Sequence, residues 1–137
     1  MHRRFLEDIK KYTKFIATDD TSAVPKIKSD LEQRSQKIDW MPTTKTAELA
    51  KILVDTTYYG WLINYAQITK MICEKEDVDF DEMWRFSDEI HENLGNRPKM
   101  YPGITGGHCV IPNLNLIENE NLDIIKKINE LYEKFKK

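Results

Sequence analysis

The chain reads as a mainly α protein. It is a helical domain built on one long central helix, about residues 44–76, with at most two short strands near the N-terminus, about 13–17 and 37–41. Three observations carry this. Residues 44–76 contain no proline and only one glycine, Gly60. Apolar residues within that run recur at close to helical spacing. Strand-like alternation is confined to two short runs in the first third of the sequence. With 137 residues, the chain fits a single domain, 1–137, able to bury a core of its own.

Taken in order, residues 3–12 suit a short helix, with Phe5, Ile9 and Tyr12 on one side. "KFIAT" suits a strand, closed by the polar turn "TDDTS". Thr21 or Ser22 can cap a second helix that tolerates Pro25 in its first turn and runs to about Gln36. "KIDWM" alternates as a strand does, and Pro42 ends it. The central helix then presents Ala47, Ala50, Leu53, Val54, Tyr58, Trp61, Leu62, Tyr65, Ile68 and Ile72 at helical spacing. Its middle, "ILVDTTYYGWLI", is apolar on more than one face. A small domain covers one face of so long a helix, so a homodimer through this helix is expected. In "DFDEMWRFSDEIHENLG", Asp79 is placed as N-cap, Glu82 completes a capping box, and Gly95 is the left-handed stop. Residues 96–110 form an irregular loop. "IPNLNLIE" opens a short helix. "NLDIIKKINELYEKFKK" is amphipathic, with Leu122, Ile125, Ile128, Leu131, Tyr132 and Phe135 inward.

Composition excludes several functions. Twenty-one basic residues against 23 acidic ones leave a net charge of −2. No basic field of the kind that binds nucleic acid or a membrane surface is expected. No apolar run is long enough to span a bilayer, and the first residues lack the pattern of a signal peptide. Two cysteines do not make a disulfide framework, which places the chain in a reducing cytoplasm.

The chemistry concentrates in "YPGITGGHC", residues 101–109. It holds Gly103, Gly106 and Gly107, three of the five glycines, beside His108 and Cys109. Such glycines permit positive φ and close backbone approach to a ligand, and their N–H groups can line a site for an anion. A cysteine just before a helix start stands where the helix N-terminus favours an anionic sulfur. The competing reading is a tight turn with a small buried thiol. Cys73, at the end of an apolar helical face, reads as a packed thiol. Lys51 and Asp55 are four apart on the long helix. They read either as a surface ion pair or, given apolar neighbours, as a partly buried pair whose lysine stabilises a negative oxygen. His108 adjoins Cys109, whereas His2 and His91 have no visible partner. No set of residues has metal-ligand spacing, so no metal is expected.

"AELAKILVDTTYYGWLINYAQITKMICEKEDVDFDEMW" followed by "YPGITGGHCVIPN" resembles the central domain of the UDP-glucose/GDP-mannose dehydrogenase family, the nucleotide-sugar 6-dehydrogenases. The resemblance covers about residues 47–117. More broadly, 43–137 resembles that central domain, and 1–42 resembles the tail of the family's NAD-binding domain. It implies oxidation of a sugar C6 alcohol to a carboxylate with NAD, through a cysteine thiohemiacetal and thioester. It implies Cys109 as nucleophile and Lys51 as oxyanion stabiliser, with Asp55 and Asn113 beside them. The loop bearing Gly103, Gly106, Gly107 and His108 would meet the nucleotide sugar. It also implies a dimer built on the long helix.

The pattern departs from the family's in several places. The family has Asn four residues after the lysine, where this chain has Asp55, and Asp four residues after the cysteine, where this chain has Asn113. The exchange is reciprocal, so a hydrogen-bonded pair with traded roles is expected. The glycine loop is shorter than the family's by about one residue. No GxGxxG fingerprint follows an early strand, so NAD is expected to bind outside these residues, for instance on a separate NAD-binding subunit. Turnover by the chain alone is therefore not expected. The alternative is a non-catalytic helical dimerisation or binding module derived from that family.

Overall fold

The computed structural model describes residues 11–33, 37–106, 109–117 and 119–137. The helix expected over 3–12 falls largely outside them. Within them the fold is mainly helical. It divides into two compact units, Met1–Lys51 and Ile52–Lys137. The division falls within the long helix.

In the first unit, β1 (Lys14–Ile16) pairs in parallel with β2 (Ile38–Trp40), with Phe15 opposite Asp39. A parallel pair needs a crossover, and α1 (Val24–Glu32) lies within it. Asp20 starts the crossover by accepting the Ser22 N–H at 2.9 Å, which winds a single 3₁₀ turn over Thr21–Ala23. Pro25 sits in the first turn of α1, where a missing N–H costs nothing. After β2, α2 (Thr44–Leu49) is capped twice. Thr43 Oγ1 accepts the Thr46 N–H at 3.0 Å, and the Asp19 carboxylate accepts from both the N–H and the hydroxyl of Thr44. None of the described residues of this unit is fully buried.

The long helix runs as expected from Thr44 to Lys75, but not as one kind of helix. After α2 it winds as a π-helix over Ala50–Thr57 and returns to α geometry as α3 (Tyr58–Lys75). The π-helix closes i→i+5 bonds and occurs mostly as single-turn bulges, frequently at functional sites. Its wider turn shifts the 3.6-residue register on which the apolar spacing is counted. Leu53, Val54, Tyr58, Trp61, Tyr65 and Ile72, counted at helical spacing in the sequence, are exposed; Val54 is 72% accessible. The buried face carries Thr56, Thr57, Gly60, Asn64 and Gln67 instead.

Asp77, in the left-handed region at φ 53°, ends α3, and the Val78 N–H reaches back to Cys73 O at 2.9 Å. This is a Schellman-type stop without glycine. Then α4 (Phe80–Leu94) starts at Asp79, whose side chain accepts the Glu82 N–H at 2.8 Å. The Glu82 carboxylate bonds Arg85 Nη1 at 2.8 Å, so only half of the expected capping box is in use. Gly95 ends α4 at φ 66°, as expected. The unit closes with α5 (Val110–Ile117) and α6 (Asp123–Phe135).

Two buried clusters hold this second unit. Ala66, Cys73 and Phe80 pack with Trp84 and Met100. Val110, Leu114 and Ile125 pack with Ile111 and Leu122. On α6, Ile125, Ile128 and Tyr132 are buried as expected, but Leu131 and Phe135 are 51% and 41% exposed. The buried stripe is narrower than the sequence implied; it packs mainly against α3 and, at Ile125, against Val110 and Leu114 of α5. No helix among the described residues is long and apolar enough to cross a membrane.

Candidate functional site

The site is built where α3, α5 and α6 meet. Gly60 makes the approach close. A Cβ on it would stand 2.7 Å from Val110 Cγ1 and 3.6 Å from Ile125 Cγ2, so only a residue without a side chain admits α5 and α6 this near. Cys109 immediately precedes α5 and is exposed. Its carbonyl accepts the Asn113 N–H at 3.1 Å, the first turn of the helix. Cys109 thus stands at the entry of α5, beside the unsatisfied N–H groups of a helix start. Cys73 is 2% exposed, with its sulfur 3.4 Å from Met83 Sδ, a packed thiol.

Asn113 faces the end of the π-helical segment. Its Nδ2 donates to Oγ1 of Thr56, the residue after Asp55, at 3.2 Å. Lys51 and Asp55 lie in the same π-helical segment and are both exposed, which corrects the partial burial inferred from their apolar neighbours. Those neighbours, Leu53 and Val54, themselves face outward. Lys51 is the last residue of the first unit.

Gly103 and Gly106 of the loop do not take the positive φ that glycine permits. Among the described glycines only Gly95 has a positive φ. A Cβ at Gly103 or Gly106 would meet nothing within 4 Å, so these positions open space beside the loop and do not enable a left-handed turn. Gly107 and His108 lie outside the described residues.

The loop is tied from below by side-chain amides. Gln67 Nε2 donates to Gly103 O at 2.6 Å and to Asn129 Oδ1 at 3.1 Å. Asn129 Oδ1 accepts the Thr105 N–H at 2.6 Å, and its Nδ2 donates to Thr105 O at 2.9 Å. Asn64 Nδ2 donates to Gln67 Oε1 at 2.8 Å. Asn64 and Gln67 are fully buried and Asn129 nearly so. Among the described residues, Asn64 Oδ1, Thr57 Oγ1 and Thr105 Oγ1 are buried without a partner, so this polar layer keeps unused hydrogen-bonding capacity.

Sequence reasoning missed Thr56, Asn64, Gln67, Thr105 and Asn129. A signal was present for three of them. Asn64 and Gln67 are three apart, and so share a helix face in a helix otherwise rich in apolar residues. For Asn129 the signal is its place one turn from both Ile125 and Tyr132 on the inward stripe of α6. Comparison of the chain with family models, with curated proteins and with solved structures finds no match.

Proposed function

We propose that the chain is the central, thiol-bearing and dimerising part of an oxidoreductase resembling the nucleotide-sugar 6-dehydrogenases. The observation that carries the reading is Cys109: an exposed thiol at the entry of α5, reached through a loop whose backbone is tied at Gly103 and Thr105. The reaction assigned to it is addition of the sulfur to the C6 aldehyde carbon of a nucleotide sugar. The S–H bond breaks as the C–S bond forms, the carbonyl π electrons move to oxygen, and that oxygen takes up the proton the sulfur released to give a thiohemiacetal. Lys51 keeps the oxyanion-stabilising role that the resemblance implies. Asp55 and Asn113 keep theirs as flanking polar groups. The open space beside Gly103 and Gly106 leaves room for the sugar.

NAD does not fit this chain. A dinucleotide site of the doubly wound type needs a crevice at the carboxyl ends of a larger parallel sheet, with a glycine-rich first turn. The described residues supply a sheet of two strands, and the sequence has no such glycine turn. On this reading NAD is held outside these residues, and no step is derived through it. The outward stripe of Tyr58, Trp61, Tyr65 and Ile72 supports a homodimer through the long helix, since large exposed apolar patches mark interaction sites. The same stripe favours the second reading, a helical dimerisation module with no reaction at Cys109.

The test is alkylation of the chain by iodoacetamide with and without UDP-glucose or GDP-mannose. We expect Cys109 to react, Cys73 to resist until unfolding, and nucleotide sugar to slow the Cys109 reaction. Unchanged alkylation at saturating sugar nucleotide turns the assignment to the non-catalytic module. We expect no NADH from the chain mixed with NAD and either sugar nucleotide.

A further inference from the structure

The polar layer under the loop poses a question that packing does not answer. Apolar side chains would seat α3 on α6 equally well, and a buried amide is costly unless fully bonded. Gln67 and Asn129 nevertheless meet across that contact, 0% and 6% exposed. Their bonds run to the backbone of the loop. Asn129 engages both the N–H and the carbonyl of Thr105, at 2.6 and 2.9 Å, as a neighbouring strand residue would. Gln67 holds Gly103 O at 2.6 Å and braces Asn129 at 3.1 Å. Beyond Cys109, the start of α5 is held by Val110 over Gly60 and by Asn113 on Thr56. The chain is therefore anchored on both sides of the thiol.

We propose that Gln67 and Asn129 are positioning residues, an amide clamp that holds the loop backbone at Gly103 and Thr105 ahead of Cys109 and so sets where Cys109 stands. The proposal rests on the reading of Cys109 as the reacting thiol. The clamp itself is measured without it.

The experiment follows amide hydrogen exchange and Cys109 alkylation by iodoacetamide in the full chain, in Gln67→Met, which removes the amide at similar volume, and in Asn129→Ala. In the parent protein the Thr105 N–H is expected to exchange far more slowly than in an unstructured peptide. Asn129→Ala, which removes the acceptor of the Thr105 N–H, is expected to speed it about tenfold, the equivalent of one lost hydrogen bond, and Gln67→Met, which removes only the brace on Asn129 and Gly103, to speed it less, while the Leu114 amide within α5 stays slow. The Cys109 alkylation rate is expected to shift in step with Thr105 exchange. If a variant fails to fold, the parent decides: exchange at Thr105 as fast as in an unstructured peptide overturns the clamp. Thr105 freed in a folded variant with Cys109 alkylation unchanged overturns it too. If sugar nucleotides do not protect Cys109 in the parent while Thr105 is protected and the variants respond as expected, the functional reading falls and the clamp stands.

Discussion

Gly60→Ala is the sharpest perturbation available to this packing, because two known effects oppose each other there. In an open helix, Ala replaces Gly with a gain of about 1 kcal/mol. At Gly60 the new Cβ stands 2.7 Å from Val110 Cγ1 and 3.6 Å from Ile125 Cγ2. Both partners are buried, at 4% and 0% exposure. Val110 is β-branched, so its χ1 is stiff and cannot swing its methyl aside cheaply. Overpacking of this kind costs about 1–3 kcal/mol. The repulsion wins, with a net loss of about 1 kcal/mol and a melting temperature lower by about 4–8 °C for a unit of this size. Thermal unfolding followed by circular dichroism reads the shift. In a Val110→Ala background the closest atom is gone, and the Gly60→Ala step is expected to become neutral or stabilising, a coupling that a double-mutant cycle isolates. A higher melting temperature for Gly60→Ala alone would refute the close approach of α5. Gly95→Ala is the contrast. Nothing lies within 4 Å of its Cβ, but φ is +66°, so its loss of about 1 kcal/mol comes from backbone strain and no second-site change relieves it.

Two further predictions concern the first unit and the outward stripe. Thr44, by its hydroxyl and then by its N–H, holds the Asp19 carboxyl below the ordinary aspartate range. A folded-state pKa below the unfolded one stabilises fully above the ordinary range, and the stabilisation is lost as pH falls through the lowered value. Asp19→Asn is expected to be less stable than the parent at neutral pH, with the difference closing in acid below about pH 4; a difference that persists in acid removes Asp19 as the second cap of α2. For the stripe, sedimentation is expected to give twice the chain mass, and Tyr58→Glu combined with Tyr65→Glu the single mass at unchanged helix content. A parent that stays monomeric at high concentration overturns the homodimer.

By itself the sequence determined where helices and strands lie. The absence of proline from 44–76, Pro25 and Asp79 at helix starts, and Gly95 at a helix end are local chemistry, and local bonding enforces them. The same locality marked Cys109 as a thiol at a helix entry and Cys73 as a packed one. Tertiary structure decided which face of the long helix turns inward. Counting by 3.6 assumes an unbroken α-helix, and the π-helical turns over Ala50–Thr57 break that assumption. Those turns are set by bonds five residues apart, and the inward face by the fit of Gly60 to Val110 and Ile125, residues fifty or more positions away in the chain. Distance in sequence also hid the loop's anchors. Gln67 and Asn129 look like polar interruptions of apolar stripes until folding brings both to the backbone of Gly103 and Thr105. A hydrogen bond between residues so far apart leaves no spacing to read, because its cause is the packing of α6 on α3, which fixes one amide against the other.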